Sequence, residues 1–229
     1  ILLMTLHTDG GELQWGGIPH GELPRAFHDV GADRENKVII LAGTGEYFSG
    51  PRPAGGGPKY KRPMLEWDRV FWEARHLLMN MLDIDVPMIE AVNGPAMRHS
   101  ELPLMCDIVL AAEEATFQDS AHFVGGLVPG DGVHVVFPMA MGLNRGRYFL
   151  LTGQVLNARE ALAAGLVNEV MPRDKLLPRA RELARKILEQ PELNRRYSRV
   201  LLVEELRRRM SELLPYGLAL EGLCITRTV

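Results

Sequence analysis

An α/β fold on a mostly parallel sheet, with helices gathered toward the end, is what this sequence of 229 residues predicts. Three observations predict it. Short β-branched runs alternate with amphipathic stretches of helical period. Glycines close the strand-like runs, as at Gly43 and Gly94. Beyond residue 170 the pattern is helical and charged, without further strand signals.

Residues 1–6 are apolar and strand-like, too short and too poor in basic residues for a signal peptide. They read as a strand whose preceding residues are absent. Leu23, Phe27 and Val30 recur at helical spacing and predict a helix over 20–32. Val38-Ile39-Ile40-Leu41 reads as a buried parallel strand. The Gly/Pro-rich stretch 48–63 is long for a connection, and loops of that length are commonly functional. Trp67, Val70, Phe71, Ala74, Leu77, Leu78 and Met81 mark a long amphipathic helix. Strands are predicted over 86–92 and 108–112, with a short helix over 101–106 between them. Helices follow over 147–151 and 158–164, the latter capped by Gly165. Two charged helices cover 176–189 and 192–214, and Pro215-Tyr216-Gly217 is expected to break the second before a last helix. A core over 1–170 and a helical region over 171–229 is the expected division.

Composition sets outer limits. Hydrophobic residues make up 46% and charged residues 24%, enough for a full core. A net charge of −3 supplies no general attraction to nucleic acid or an anionic membrane. No apolar run approaches the roughly 18 residues needed to span a bilayer. Cys106 and Cys224 stand singly in apolar contexts, as buried, reduced thiols do, and a cytoplasmic location is expected.

Chemistry concentrates in two segments that each follow a strand. The first runs Asn93-Gly94-Pro95-Ala96-Met97-Arg98-His99-Ser100-Glu101-Leu102. The second is Phe117-Gln118-Asp119-Ser120-Ala121-His122-Phe123, continuing into Val128-Pro129-Gly130-Asp131-Gly132. Imidazoles and carboxyls on an apolar background can move protons near neutral pH, because burial shifts their pKa values widely. Strand-to-loop junctions are where such folds place their sites.

Pro87 to Pro95, Glu101-Leu102, Cys106-Asp107-Ile108, Ala115-Thr116-Phe117, Val128-Pro129-Gly130, Leu151-Thr152-Gly153 and Gly165-Leu166-Val167-Asn168-Glu169-Val170 together resemble the crotonase (enoyl-CoA hydratase/isomerase) superfamily. The resemblance runs through nearly the whole chain. It implies a spiral of ββα units, a C-terminal helical trimerisation region, and enolate stabilisation by two backbone N–H groups. The departures are informative. Family hydratases carry a glycine run where this chain has Met97-Arg98-His99-Ser100, and a second glutamate where it has His122. Pro51 and Pro53 fall in the first oxyanion segment, and proline has no N–H to donate. These departures resemble the β-diketone hydrolase branch typified by 6-oxocamphor hydrolase. That likeness implies that His20, His99, His122, Asp131 and Glu221 are catalytic. Trp15, Phe48 and Glu101 are implied to contact substrate.

Cleaving the C–C bond of a β-diketone needs a nucleophilic water, a stabilised oxyanion and a proton for the departing enolate. A neutral His122 is the expected base, with Asp131 fixing its tautomer and stabilising the imidazolium. The chemistry requires neither a metal nor an organic cofactor. Plainer roles compete: Asp131 as a helix N-cap, His99 as a loop tether, His20 as a surface residue at a helix start. Glu221 could equally be an interface ion-pair partner, and Trp15 a packing residue. His7, His28, His76 and His134 have no supporting pattern and are expected to be structural. An acyl-CoA hydratase or isomerase using Glu101, and a metal-binding homologue using His99, His122 and Asp131, are the rival classes. The arginine-rich stretch 195–209 and the apolar faces around 213–223 suggest an interface, hence a homotrimer or a hexamer.

Overall fold

The computed structural model describes residues 1–50 and 63–225. The Gly/Pro-rich stretch read as a lid, including Pro51, Arg52, Pro53, Lys59, Lys61 and Arg62, lies almost wholly outside them. Five parallel strands form the main sheet in the order β1 (Leu2–Leu6), β2 (Ile39–Gly43), β3 (Met88–Val92), β4 (Ile108–Ala112) and β7 (Glu169–Met171). Ile39 pairs with Met88 and Ile89 with Ile108. Successive side chains leave opposite faces of a strand. Ile39 and Leu41 therefore join the core beneath α1 (Gly17–Ala32) and α2 (Met64–Leu82), while Ile40 and Ala42 meet α6 (Arg173–Leu188).

A second, narrower ladder runs beside the sheet. Gln14 bridges Gly50, Ser49 bridges Ala96, and Ala96 bridges Phe117. Phe117 of β5 (Thr116–Phe117) then pairs antiparallel with Leu156 of β6 (Leu156–Asn157). Each turn of the chain thus lays one strand in the sheet and one link in the ladder, which is the expected ββα spiral. β6 and β7 were not legible as strands, since two or three residues are too few to display an alternation.

Two corrections concern the helices. The segment expected over 101–106 is only a 3-10 turn, Pro103–Met105. The expected break at Pro215 does not occur: α7 is a single helix, Glu192–Ile225. Pro215 removes one ladder hydrogen bond, but the helix is buried on both sides of it through Met210, Leu214, Leu218, Glu221 and Ile225. Tertiary packing overrides the local signal. The arginines of this helix are also partly spent inside the chain. Arg196 reaches Asp85 at 2.6 Å and Arg199 reaches Asp107 at 2.6 Å, both from buried positions. These bonds fasten the first half of α7 to α2 and the sheet. No helix among the described residues is long and apolar enough to cross a membrane.

Candidate active site

The loop after β3 is drawn against the loop after β2. Asn93 Nδ2 donates to Gly45 O and Tyr47 O at 2.8 and 3.1 Å. Gly94 lies so close to Glu46 O that a Cβ would sit 1.7 Å from it, so only glycine fits. The chain then turns through His99, whose φ of 47° is in the left-handed region. A Cβ there costs about 1–2 kcal/mol, and such strain clusters at functional sites. The position has glycine geometry, yet it carries an imidazole. His99 Nδ1 lies 2.6 Å from Glu101 Oε1, and both residues are buried.

The second segment places Asp119 and His122 three residues apart, with His122 Nδ1 and Asp119 Oδ1 at 2.7 Å. Gly132, at φ 102°, turns the following loop so that Asp131 faces inward. Asp131 Oδ1 lies 3.2 Å from His122 Nε2, off the line of a strong hydrogen bond, and Oδ2 lies 3.5 Å from His99 Nε2. Asp131 therefore bridges the two imidazoles. It is not a helix cap: α3 (Val133–Met141) begins at Gly132 without a side-chain cap. Glu221 enters from α7, with Oε1 3.8 Å from His122 Nε2. The close approach of Gly130 and Gly217, where a Cβ on either would meet the other's carbonyl oxygen at 2.3 Å, seats α7 against this loop.

His20, in the first turn of α1, completes the cluster. Its Nε2 is 3.3 Å from His99 Nε2. Trp15 packs on His99 with ring centroids 4.0 Å apart, and its buried Nε1 has no hydrogen-bond partner among the described residues. Seven of the eight site residues read from the sequence thus converge. Phe48 differs: its ring is fully buried, and its N–H, like that of Ser49, goes to Pro95 O, at 3.1 and 3.2 Å. Gly50 N–H goes to Leu13 O, and Met97 N–H to Ser49 O. These backbone donors are spent within the fold.

Asp119 was missed. It is 4% exposed and holds the Nδ1 side of His122, the tautomer-fixing place assigned from sequence to Asp131. The signal was the Asp-x-x-His spacing, which sits in a loop and so lacks the periodicity that marks a shared helix face.

The electrostatics follow from burial and charge together. Burial pushes the His122 imidazolium down, but Asp131 and Asp119 on its two sides hold its pKa well above the ordinary value. His99 is likewise raised, with burial opposing and Glu101 and Asp131 prevailing. Burial would raise Asp131, yet His122 and His99 hold it well below the usual carboxylate range. Burial raises Glu101 against the pull of His99. Glu221 is pushed up to about 8, chiefly by burial; His122 opposes the shift and Asp131 adds to it. An uncharged Glu221 beside a charged His122 results at neutral pH.

That shift has a consequence for stability. Between 4.5, the ordinary value, and about 8 the folded chain binds a proton at Glu221 that the unfolded chain has lost. Stability from this group therefore falls as pH rises through that window. The Glu221→Gln variant should lose less thermal stability over the window than the parent, as read by Tm against pH.

Donor atoms of His99, Glu101 and Asp131 all lie within 4.8 Å of one another. Glu101 and Asp131 nevertheless engage opposite nitrogens of His99. With one carboxylate at each ring nitrogen, the arrangement can hold and move a proton.

The enoyl-CoA hydratase/isomerase family model matches residues 20–224. A crotonyl-CoA hydratase from Syntrophomonas wolfei is 34% identical over 207 residues, covering 89% of this chain and 78% of the relative. An enoyl-CoA isomerase/hydratase from Mycosarcoma maydis is 31% identical over 155 residues, covering 66% of this chain. That match spans only 55% of the Mycosarcoma maydis protein. Among solved structures, a beta-diketone hydrolase from the cyanobacterium Anabaena sp. PCC 7120, bound to (S)-3-oxocyclohexyl acetic acid, superposes with a TM-score of 0.93. It is 46% identical, with 98% of this chain and 89% of that chain covered. By sequence and by fold, this chain belongs to the enoyl-CoA hydratase/isomerase, or crotonase, family.

Proposed function

We propose that the protein is a cofactor-independent retro-Claisen hydrolase that cleaves a C–C bond of a cyclic β-diketone. The observation that carries the reading is His122, with Asp119 on Nδ1 and with Asp131 and Glu221 facing Nε2. Held in this tautomer by Asp119, a deprotonated His122 presents the Nε2 lone pair to a water beside Asp131. The water oxygen adds to one carbonyl carbon as its proton passes to Nε2. The tetrahedral alkoxide collapses, and the C–C electron pair moves to the carbon between the carbonyls as an enolate. The imidazolium returns the proton to that carbon, leaving a carboxylic acid and a ketone. Asp131 stabilises the transient cation, and the uncharged Glu221 is a hydrogen-bond donor for developing negative charge. Trp15 Nε1 and His99 supply further donors, while the N–H groups of Phe48, Ser49, Gly50 and Met97 are bonded within the fold.

The similarity to the Anabaena beta-diketone hydrolase supports this class. The hydratase relatives support the rival reading, acyl-CoA hydration through Glu101. Against that reading, Glu101 is engaged by His99 at 2.6 Å and the position of a second glutamate holds His122. Mono- and bicyclic β-diketones should be hydrolysed to keto acids, without inhibition by free CoA. The deciding measurement is product analysis on a diketone panel run beside crotonyl-CoA hydration. Hydration of the thioester with no diketone turned over would establish the rival.

A trimer or a dimer of trimers accompanies the activity. Phe123, Val124, Leu143, Tyr148 and Leu151 are exposed around α4 (Leu143–Thr152) and the turn that packs on it. Tyr197, Val200, Leu201 and Leu202 are exposed on α7. Two different apolar surfaces on one chain favour head-to-tail contacts, and such contacts form a ring when the rotation between neighbours closes. Light scattering at micromolar concentration should give three or six times the chain mass; a monomer there would reject the ring.

A further inference from the structure

We infer that His134, one turn beyond Asp131, is a positioning residue that sets the height of Glu221 over His122. His134 lies in the first turn of α3, and its Nε2 donates to Leu213 O of α7 at 3.2 Å. Its buried Nδ1 has no well-formed hydrogen bond among the described residues, and the Pro129 backbone is the second backbone group, after Leu213, that acts on the ring. Burial holds the ring pKa below its ordinary value against the backbone of Leu213 and Pro129, and the 3.2 Å contact fits a neutral ring that donates from Nε2 to Leu213 O.

The hold matters because of where it falls along α7. Glu221 lies eight residues beyond Leu213, about 12 Å at the helical rise. Pro215 stands between them and removes one bond of the helix ladder there. A helix interrupted in this way bends most readily at the proline, so the ladder alone does not fix the segment that carries Glu221. Buried side chains hold both flanks of the proline to the core, and two contacts set the segment's position relative to Asp131. His134 grips α7 just before the proline, and Gly217 meets Gly130 just after it, also lying against the His134 ring: a Cβ on Gly217 would stand 2.4 Å from His134 Cε1. Asp131 and His134 leave the same short segment, so one rigid piece of chain places both Asp131 and the pivot for Glu221.

The groups that face Glu221 are His122 and Asp119 from the loop after β5, Asp131 from the loop before α3, and His99 from the loop after β3. Withdrawal of Glu221 from this set would be visible as a change in its own titration. The inference rests on the hydrolase reading only in giving Glu221 a task.

The test is the infrared C=O stretch of the protonated Glu221 carboxyl, isolated as the difference between the wild-type protein and Glu221→Gln and followed against pH. His134→Leu, similar in size and without a donor, should move that band and lower the pH at which it disappears from about 8. His134→Gln, which can still reach Leu213 O, should restore both. If the Leu variant does not fold, His134→Met takes its place. In turnover, the donor-less variant should lose roughly ten- to a hundredfold in kcat with KM within twofold, as a small misplacement of a catalytic group does. A band and titration unchanged in a folded donor-less variant overturn the inference, as does a loss that Gln fails to rescue. The infrared measurement needs no substrate, so a protein inactive on every diketone still passes or fails it.

Discussion

Replacing His122 with alanine should remove most C–C hydrolysis. General-base catalysis typically contributes about 10² to 10⁴ in rate, and no other imidazole in the cluster has a carboxylate on each side within 3.2 Å among the described residues. The deletion also strands Asp119 and Asp131 without their shared cation, and breaking a buried pair is destabilising. Activity must therefore be read well below the variant's melting temperature. His122→Gln separates the two effects, because it keeps a polar side chain of similar reach and has no basicity. Both variants should be inactive while near-UV circular dichroism reports a folded chain. A variant keeping more than half of the wild-type turnover would exclude His122 as the base.

Asp131→Asn should cut turnover by about 10² or more, the scale on which an oriented base works, with a smaller effect on substrate affinity. It should also change the shape of the pH profile. In the parent, burial opposes a raised His122 pKa and Asp131 leads the groups that raise it. The deprotonated base is therefore scarce at neutral pH, and kcat/KM should climb with pH as His122 titrates, until loss of the Glu221 proton, at about 8, opposes the rise. Removing the Asp131 charge leaves burial less opposed, so the His122 pKa falls. The climbing limb moves to lower pH, and its plateau is lower. An unmoved limb together with wild-type turnover would take Asp131 out of the reaction.

Much of the fold was legible because period and composition agreed locally. β4 lies where the apolar run 108–112 put it, and α5 (Ala158–Ala164) ends at Gly165, which has the left-handed φ of 85° that its place demanded. What escaped was decided at long range. β7 exists only because β4 offers it an edge. α7 survives Pro215 because buried side chains hold both flanks. At the site, residues that depart from the family pattern, such as His99 and His122, stood out as chemistry. Asp119 did not, because a single carboxylate in a loop takes its meaning from the ring that packs on it. Phe48 was chosen for its place in a motif, and the hydrogen bonds that occupy its N–H come from a partner far along the chain, Pro95.

The strand order has a consequence for how the protein is made. In the first four strands, order in space follows order in the chain, and each pairs with the one before it. A sheet of this kind can grow from one edge as a ribosome delivers it, N-terminal strand first. The groups that meet at the pocket arrive on the same schedule: His20, then His99, then His122 with Asp131, and Glu221 only with α7. A nascent chain stalled before that helix would hold most of its sheet while one wall of its pocket stood open to solvent. With water present, the carboxylates and imidazoles would titrate near their ordinary values. The unusual proton affinities belong to the finished molecule, and the reactive state is assembled after the scaffold that contains it.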